Sequence, residues 1–201
     1  MEEIKLEIAL IHSEGISDII INSIKNEIDD KTVNLTIKKR KSEIMVGLEW
    51  FMPTALTVYI LKPYIEAFLQ EMGKDHYQVI KKAILTGARK LVGKDKVVTI
   101  NVLTSTNAPK KIIGEYSFAF STLITLSSKY KVKFLFDDCL SIEELEDYAN
   151  KIASFVMYNS DEEIMKILKK NQNIVILNTS ICTYNRNAKE ILVLNPIPKK
   201  Y

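Results

Sequence analysis

The spacing of apolar residues changes along the chain, and each change predicts a different kind of element. Apolar side chains recur at every second position in residues 4–10, 33–37 and 44–50, which is the period of a strand with one buried face. Between the first two runs, isoleucines recur at helical spacing over residues 16–28, and Ser17 suits the helix N-cap. The pattern predicts an opening β-α-β-β unit whose last two strands form a hairpin.

Residues 53–72 lose this alternation and are apolar nearly all round, which favours a buried helix. Pro53 suits the first turn of such a helix, where its missing N–H costs nothing. Pro63 cannot donate to the preceding turn, so the helix is expected to kink there. Gly73 is a typical helix end, and the run from Asp75 to Gln78 has capping-box spacing for a further helix.

The second half of the chain returns to strand patterns, with two helices between them. Ser141 and Ser160 each precede a helical pattern and have a glutamate three residues later, which predicts two capping boxes. The predicted strands lie in residues 97–103, 115–126, 131–138, 173–180 and 190–196. We expect one α+β domain over residues 1–201, with an antiparallel or mixed sheet and helices mainly on one face. The loop at residues 104–111 is the best candidate for a domain boundary.

The composition is typical of a folded chain of modest charge. Hydrophobic residues make up 47% and charged residues 26%, which excludes global disorder. The formal net charge of +3 is too small to imply a nucleic-acid partner by itself. An acidic start without a long apolar core predicts a cytoplasmic protein, in which Cys139 and Cys182 are free thiols.

The apolar stretch at residues 50–69 raises the question of a membrane. Trp50 to Leu61 is a run of twelve residues without a charge, whereas a helical span needs roughly 20 predominantly apolar residues. Extension to the full stretch includes Lys62 and Glu66, and each central charge costs about 2.5–3.5 kcal/mol. We therefore expect a core element and no stable membrane span. A protein that inserts residues 50–69 into a membrane is a third functional alternative.

Four residues are the candidates for catalysis: Glu49, His76, Asp137 and Asp138. The two aspartates follow a predicted strand and precede a helix, a position where carboxylates can hold Mg²⁺. Glu49 lies in an apolar run, and a carboxylate there must either pair with a positive charge or have a raised pKa. His76 is expected near a helix N-terminus, facing solvent, where the helix dipole lowers the pKa of an imidazole. These residues support the alternative of a metal-dependent nuclease or other phosphoester hydrolase, but structural ion pairs and solvated helix starts show the same pattern.

No phosphate-binding loop, nucleophile elbow or local pair of metal ligands occurs in the sequence. We therefore expect no cofactor and no resident metal. The first functional hypothesis is a non-enzymatic binding or regulatory module that acts through contacts with a protein partner or by self-association. The apolar and aromatic run at residues 115–126 is its candidate interface.

Basic residues are most concentrated in one short run at the tip of the predicted hairpin: Lys38, Lys39, Arg40 and Lys41. Such a run can contact phosphates or an acidic partner. Acidic residues are interspersed with the other basic residues nearly one for one, so the sequence gives only weak support for nucleic-acid binding.

Overall fold

The computed structural model describes residues 5–41, 53–62, 73–94, 96–97, 116–170 and 178–195, and the fold is given for these residues. Their strands are β1 (Leu6–Ser13), β2 (Val33–Arg40), β3 (Leu56–Leu61), β4 (Tyr116–Thr125), β5 (Lys131–Asp137), β6 (Thr179–Asn185) and β7 (Glu190–Leu194). Their helices are α1 (Asp18–Ile28), α2 (Gly73–Leu91), α3 (Ile142–Tyr158) and α4 (Asp161–Lys170).

The strands form one mixed sheet in the order β2-β1-β3-β4-β5-β6-β7. The pairs β1–β2, β3–β4 and β5–β6 are parallel, and the pairs between them, with β6–β7, are antiparallel. Each parallel pair is joined by a segment that contains a helix, as a parallel connection normally requires. The described sheet therefore consists of three β-α-β units side by side, and β7 is added next to the last of them. The expected α+β class with a mixed sheet is confirmed.

Helix α2 contacts α1, α3 and the strands β3 and β4, so the three helices form one layer against the sheet. Gly87 of α2 lies over the ring of Phe120, and Tyr148 of α3 packs on the rings of Phe134 and Phe136. The main core lies between this layer and the sheet. We call the other side of the sheet the outer face. Cross-strand partners there include Ala9, Thr36, Tyr59, Leu123, Lys133 and Ile181.

The predicted helix caps are confirmed at all three serines. Ser17 accepts a hydrogen bond from the Ile19 N–H, and Ser141 and Ser160 each form a reciprocal capping box with the glutamate three residues later. These caps are local, so the sequence alone predicts them. Ile19 is an exception to the expected apolar stripe of α1, because it is 80% exposed.

The helix expected over residues 53–72 is wrong for residues 56–61, which form β3, an interior strand of the described sheet. Leu56, Val58 and Ile60 are fully buried against the helices, and the residues between them are half-buried on the outer face. A short strand with apolar residues on both faces is not distinguished from a buried helix by its periodicity. The kink at Pro63 lies outside the described residues.

Several further boundaries differ from the sequence predictions. Helix α2 is described from Gly73, which was expected to end a helix, and Asp75 lies in its first turn. Strand β6 continues to Asn185, beyond the strand predicted at residues 173–180, because residues 181–185 pair with β7. The strand predicted at residues 44–50 and the loop at 104–111 lie outside the described residues. Among the helices described here, none is long and apolar enough to cross a membrane.

Candidate functional site

A pocket of about 300 Å³ opens on the outer face over β2, β1 and β3. Its apolar lining comes from Ala9, Ile11, Tyr59 and Leu61, and its polar lining comes from Glu7, Thr36 and Lys38. A concave apolar surface with a few polar groups is typical of binding sites, and this volume is at the lower end of their usual range.

The pocket exists because a small residue lies between larger ones. Ala9 of β1 pairs with Thr36 on one side and with Tyr59 on the other. Its methyl group leaves a depression that the neighbouring side chains surround. Glu7 is held at the rim, where its carboxylate accepts a hydrogen bond of 2.7 Å from the Asn34 amide.

The basic run lies beside this pocket, and the hairpin expected around it extends outside the described residues. Strand β2 continues through Arg40, so Lys38, Lys39 and Arg40 are strand residues and Lys41 follows directly. Their side chains therefore alternate between the two faces. Lys38 lines the pocket, whereas the Lys39 ammonium lies 3.8 Å from the Asp18 carboxylate at the start of α1. The four charges are not gathered on one face.

His76 is buried, with 1% of its surface exposed, which corrects the expected solvent-facing position. Burial lowers the pKa of its imidazole, and the charges of Asp75 and Asp30 oppose this effect. Asp75 and Asp30 also line a second pocket of about 330 Å³, together with Lys82. Because Asp30 lies just before β2, these polar side chains lie at the end of the sheet where β1 and β2 begin.

Asp137 and Asp138 lie at the opposite end of the sheet, where β5 ends. The Asp137 carboxylate accepts a hydrogen bond of 2.7 Å from the Cys139 N–H. One oxygen of Asp138, Oδ2, lies 3.3 Å from the Lys96 ammonium, and the other, Oδ1, is buried without a hydrogen-bond partner among the described residues. The structure does not bring His76 to the two aspartates.

Glu49 lies outside the described residues, so the proposed carboxylate group cannot be assembled from them. In the described part of the chain, no three histidine, cysteine or acidic side chains are placed to hold a metal ion. Cys139 and Cys182 are free, as expected, with Cys139 exposed and Cys182 buried. Burial raises the pKa of the Cys182 thiol far above its usual range, so this cysteine is an inert core residue.

Comparison of this chain with protein-family models, curated proteins and solved structures gave no match. The site is therefore interpreted from its own geometry. Sequence reasoning found the basic run but missed the pocket next to it. The only signal for the pocket was the small Ala9 in an alternating strand, and its meaning depends on the partner strands.

Proposed function

We propose that this protein is a non-enzymatic binding module that holds an extended, acidic segment of a protein partner against β2 and the outer-face pocket. The observation that carries the proposal is the position of the pocket directly beside β2, the terminal strand of the described sheet. Residues 36–39 of β2 are all exposed, so both faces of this half of the strand meet solvent.

Among the described strands, none pairs with the outer edge of β2, and such an edge offers backbone N–H and C=O groups that a second chain can use for pairing. In recognition by strand addition, these backbone bonds supply affinity and pockets for alternate side chains supply specificity. The pocket is placed to receive such a side chain, since its lining runs from Lys38 of β2 to Tyr59 of β3.

The charge of the exposed lysines favours an acidic partner. Lys38, Lys39 and Lys41 are all exposed at one end of β2. Complementary charge increases the rate of encounter and suppresses unsuitable partners. The same lysines discourage two copies of β2 from pairing with each other, because like charges would then lie close together.

The proposal is tested by selection from a library of random twelve-residue peptides displayed on phage. We expect enrichment of extended acidic peptides with one large apolar residue. Ala9→Leu, which fills the pocket, and Lys38→Glu, which reverses the rim charge, should each weaken binding roughly tenfold, or about 1.4 kcal/mol. Titration of the selected peptides by fluorescence anisotropy measures the change.

Lys25→Glu is the matched control, because Lys25 is an exposed lysine on α1, away from the outer face. It should leave peptide affinity within about twofold, and circular dichroism should show that all variants are folded. Enrichment of peptides without acidic residues, or equal weakening by Lys25→Glu and Lys38→Glu, would contradict the proposal.

A metal-dependent phosphoester hydrolase is the second candidate, and one observation favours it. The buried Oδ1 of Asp138 has no hydrogen-bond partner among the described residues, and a cation would satisfy it. Such an ion would compete with Lys96, which already lies 3.3 Å from Oδ2.

If this candidate is correct, Mg²⁺ or Mn²⁺ at a hundredfold excess over Kd should stabilise the fold by about 2.7 kcal/mol. That stabilisation corresponds to a rise in melting temperature of about 5–10 °C for a chain of this length. Asp138→Asn should abolish the rise and any nuclease activity, whereas Asp29→Asn, a change at the exposed end of α1, should not. An unchanged melting temperature in the natural protein would reject the hydrolase.

A further inference from the structure

A cluster of polar side chains, separate from the outer-face pocket, lies on the outer face near the carboxyl ends of β1 and β2. Arg40 is at the end of β2, and its side chain extends across β1, where Nη2 donates to the Thr54 carbonyl oxygen at 3.3 Å. Thr54 precedes β3, and its hydroxyl lies 2.7 Å from the hydroxyl of Ser121 on β4. Residues from three separate parts of the chain therefore meet at one point.

The hydroxyl groups of this cluster have a defined arrangement. The Thr54 hydroxyl donates to the Leu56 carbonyl oxygen at 2.9 Å, so Ser121 must donate in the 2.7 Å bond between them. Thr57 pairs with Ser121 across the strands, and its hydroxyl lies 3.0 Å from Thr54 and 3.3 Å from Ser121. The Thr57 hydroxyl forms the longest hydrogen bonds of the cluster, so its proton is the one most easily turned toward a ligand.

Arg40 brings a donor that the described residues do not satisfy. Its Nε is buried and has no hydrogen-bond partner, and its guanidinium forms no ion pair with a carboxylate in the described ranges. A buried charged donor without an acceptor is costly, and native proteins normally satisfy such groups. An acceptor of negative charge is the group that best fits this position.

A second cation faces the same region. Lys133 of β5 pairs with Leu123 of β4, two residues from Ser121, so both side chains lie on the outer face. Only 7% of Lys133 is exposed. Burial, with a smaller effect from the charge of Arg40, lowers the pKa of the Lys133 ammonium to about 8.

We propose that Arg40, Thr57, Ser121 and Lys133 form a site for a tetrahedral oxyanion of the phosphate class. The oxyanion accepts from Arg40 Nε and from the Thr57 hydroxyl, and the two cations balance its charge. Hydrogen bonds between a charged donor and a charged acceptor are the strongest that proteins form. This inference goes beyond the proposed function, because the site does not include the pocket or the exposed lysines.

The test measures thermal unfolding while inorganic phosphate is increased and sodium chloride keeps the ionic strength constant. Phosphate stabilises most proteins weakly because it is excluded from their surfaces, and that effect does not saturate. We expect an additional rise in melting temperature that saturates, with isothermal titration calorimetry giving one site per chain. Arg40→Gln should remove the saturable rise, and Thr57→Val should weaken phosphate binding roughly tenfold.

Arg186→Gln is the matched control, since Arg186 is an arginine that already donates twice to the Glu144 carboxylate. It should keep the saturable response to phosphate, as should the pocket variant Ala9→Leu. Acetate and sulfate are titrated in parallel, and sulfate should compete with phosphate whereas acetate should not. An equal response in the natural protein and Arg40→Gln, or no saturable response in either, overturns the site. If Arg40→Gln does not fold, an unchanged phosphate affinity in Thr57→Val overturns it as well.

Discussion

Replacement of Asp161 with alanine is expected to lower the free energy of unfolding by about 3–5 kcal/mol, measured by urea denaturation. The Asp161 carboxylate at the start of α4 lies 3.1 Å from the ammonium of Lys62, whose side chain is fully buried at the end of β3. It also accepts a hydrogen bond of 2.6 Å from the Ser127 N–H. The substitution removes this carboxylate from beside the buried ammonium of Lys62.

Glu162→Ala is the control, because Glu162 is the adjacent acidic residue in α4 and is exposed. It should change stability by no more than about 0.5 kcal/mol. The double variant Lys62→Met with Asp161→Leu should recover much of the loss, since apolar residues can replace a buried ion pair. A loss for Asp161→Ala no larger than that for Glu162→Ala would show that the pair is unimportant.

The same pair predicts a dependence of stability on pH. Burial raises the pKa of the Asp161 carboxyl, but the hydrogen bond from the Ser127 N–H and the charge of Lys62 outweigh it and lower the pKa. A carboxyl with a lowered pKa in the folded state stabilises the fold above its unfolded pKa of about 3.9. This stabilisation is lost as the pH falls through the folded pKa. The loss should be smaller in Asp161→Ala than in the natural protein.

Phe120→Ala is expected to cost about 3–5 kcal/mol of stability, because Phe120 is fully buried and its ring packs on Phe136 with centroids 4.9 Å apart. Gly87 of α2 lies directly over this ring, and a Cβ built there would be 2.5 Å from a ring carbon. Gly87→Ala should therefore cost about 1–3 kcal/mol, despite the higher helix propensity of alanine.

The double variant distinguishes this close approach from other effects of the two changes. When Phe120 is alanine, the methyl group at position 87 has room, so Gly87→Ala should cost nothing or stabilise the protein slightly. Phe118→Ala serves as the control on the same strand, because Phe118 is only half-buried. Additive losses in the double variant would contradict the close contact. Phe120 was expected in a candidate interface, and the structure places it in the core.

The elements that the sequence predicts best are those with local causes. The alternation in β1 and the caps at Ser17 and Ser141 depend on residues within a few positions of each other. Strand β3 was missed because apolar residues lie on its half-buried outer face as well as on its buried face, so its alternation is weak. Burial of His76 was missed because its environment includes Asp30 from the turn before β2.

The candidate sites were less predictable than the fold. The basic run was visible, but only the strand pairing shows that Lys38 and Lys39 face opposite sides of the sheet. Arg40 and Lys133 are far apart in the sequence, and no spacing rule connects them. Their proximity follows from the order of the strands and from the length of the arginine side chain.

The arrangement of three β-α-β units has a consequence for synthesis of the chain. After β1 and β2 have paired, every later strand of the described sheet joins a strand that has already left the ribosome, in the order β3 to β7. The sheet can therefore grow in one direction as the chain emerges, without rearrangement of earlier pairs. At each stage the newest strand is an open edge, and edges of this kind promote aggregation until the next strand covers them. If synthesis paused after the apolar strand β3, the exposed edge would be the one most prone to aggregation.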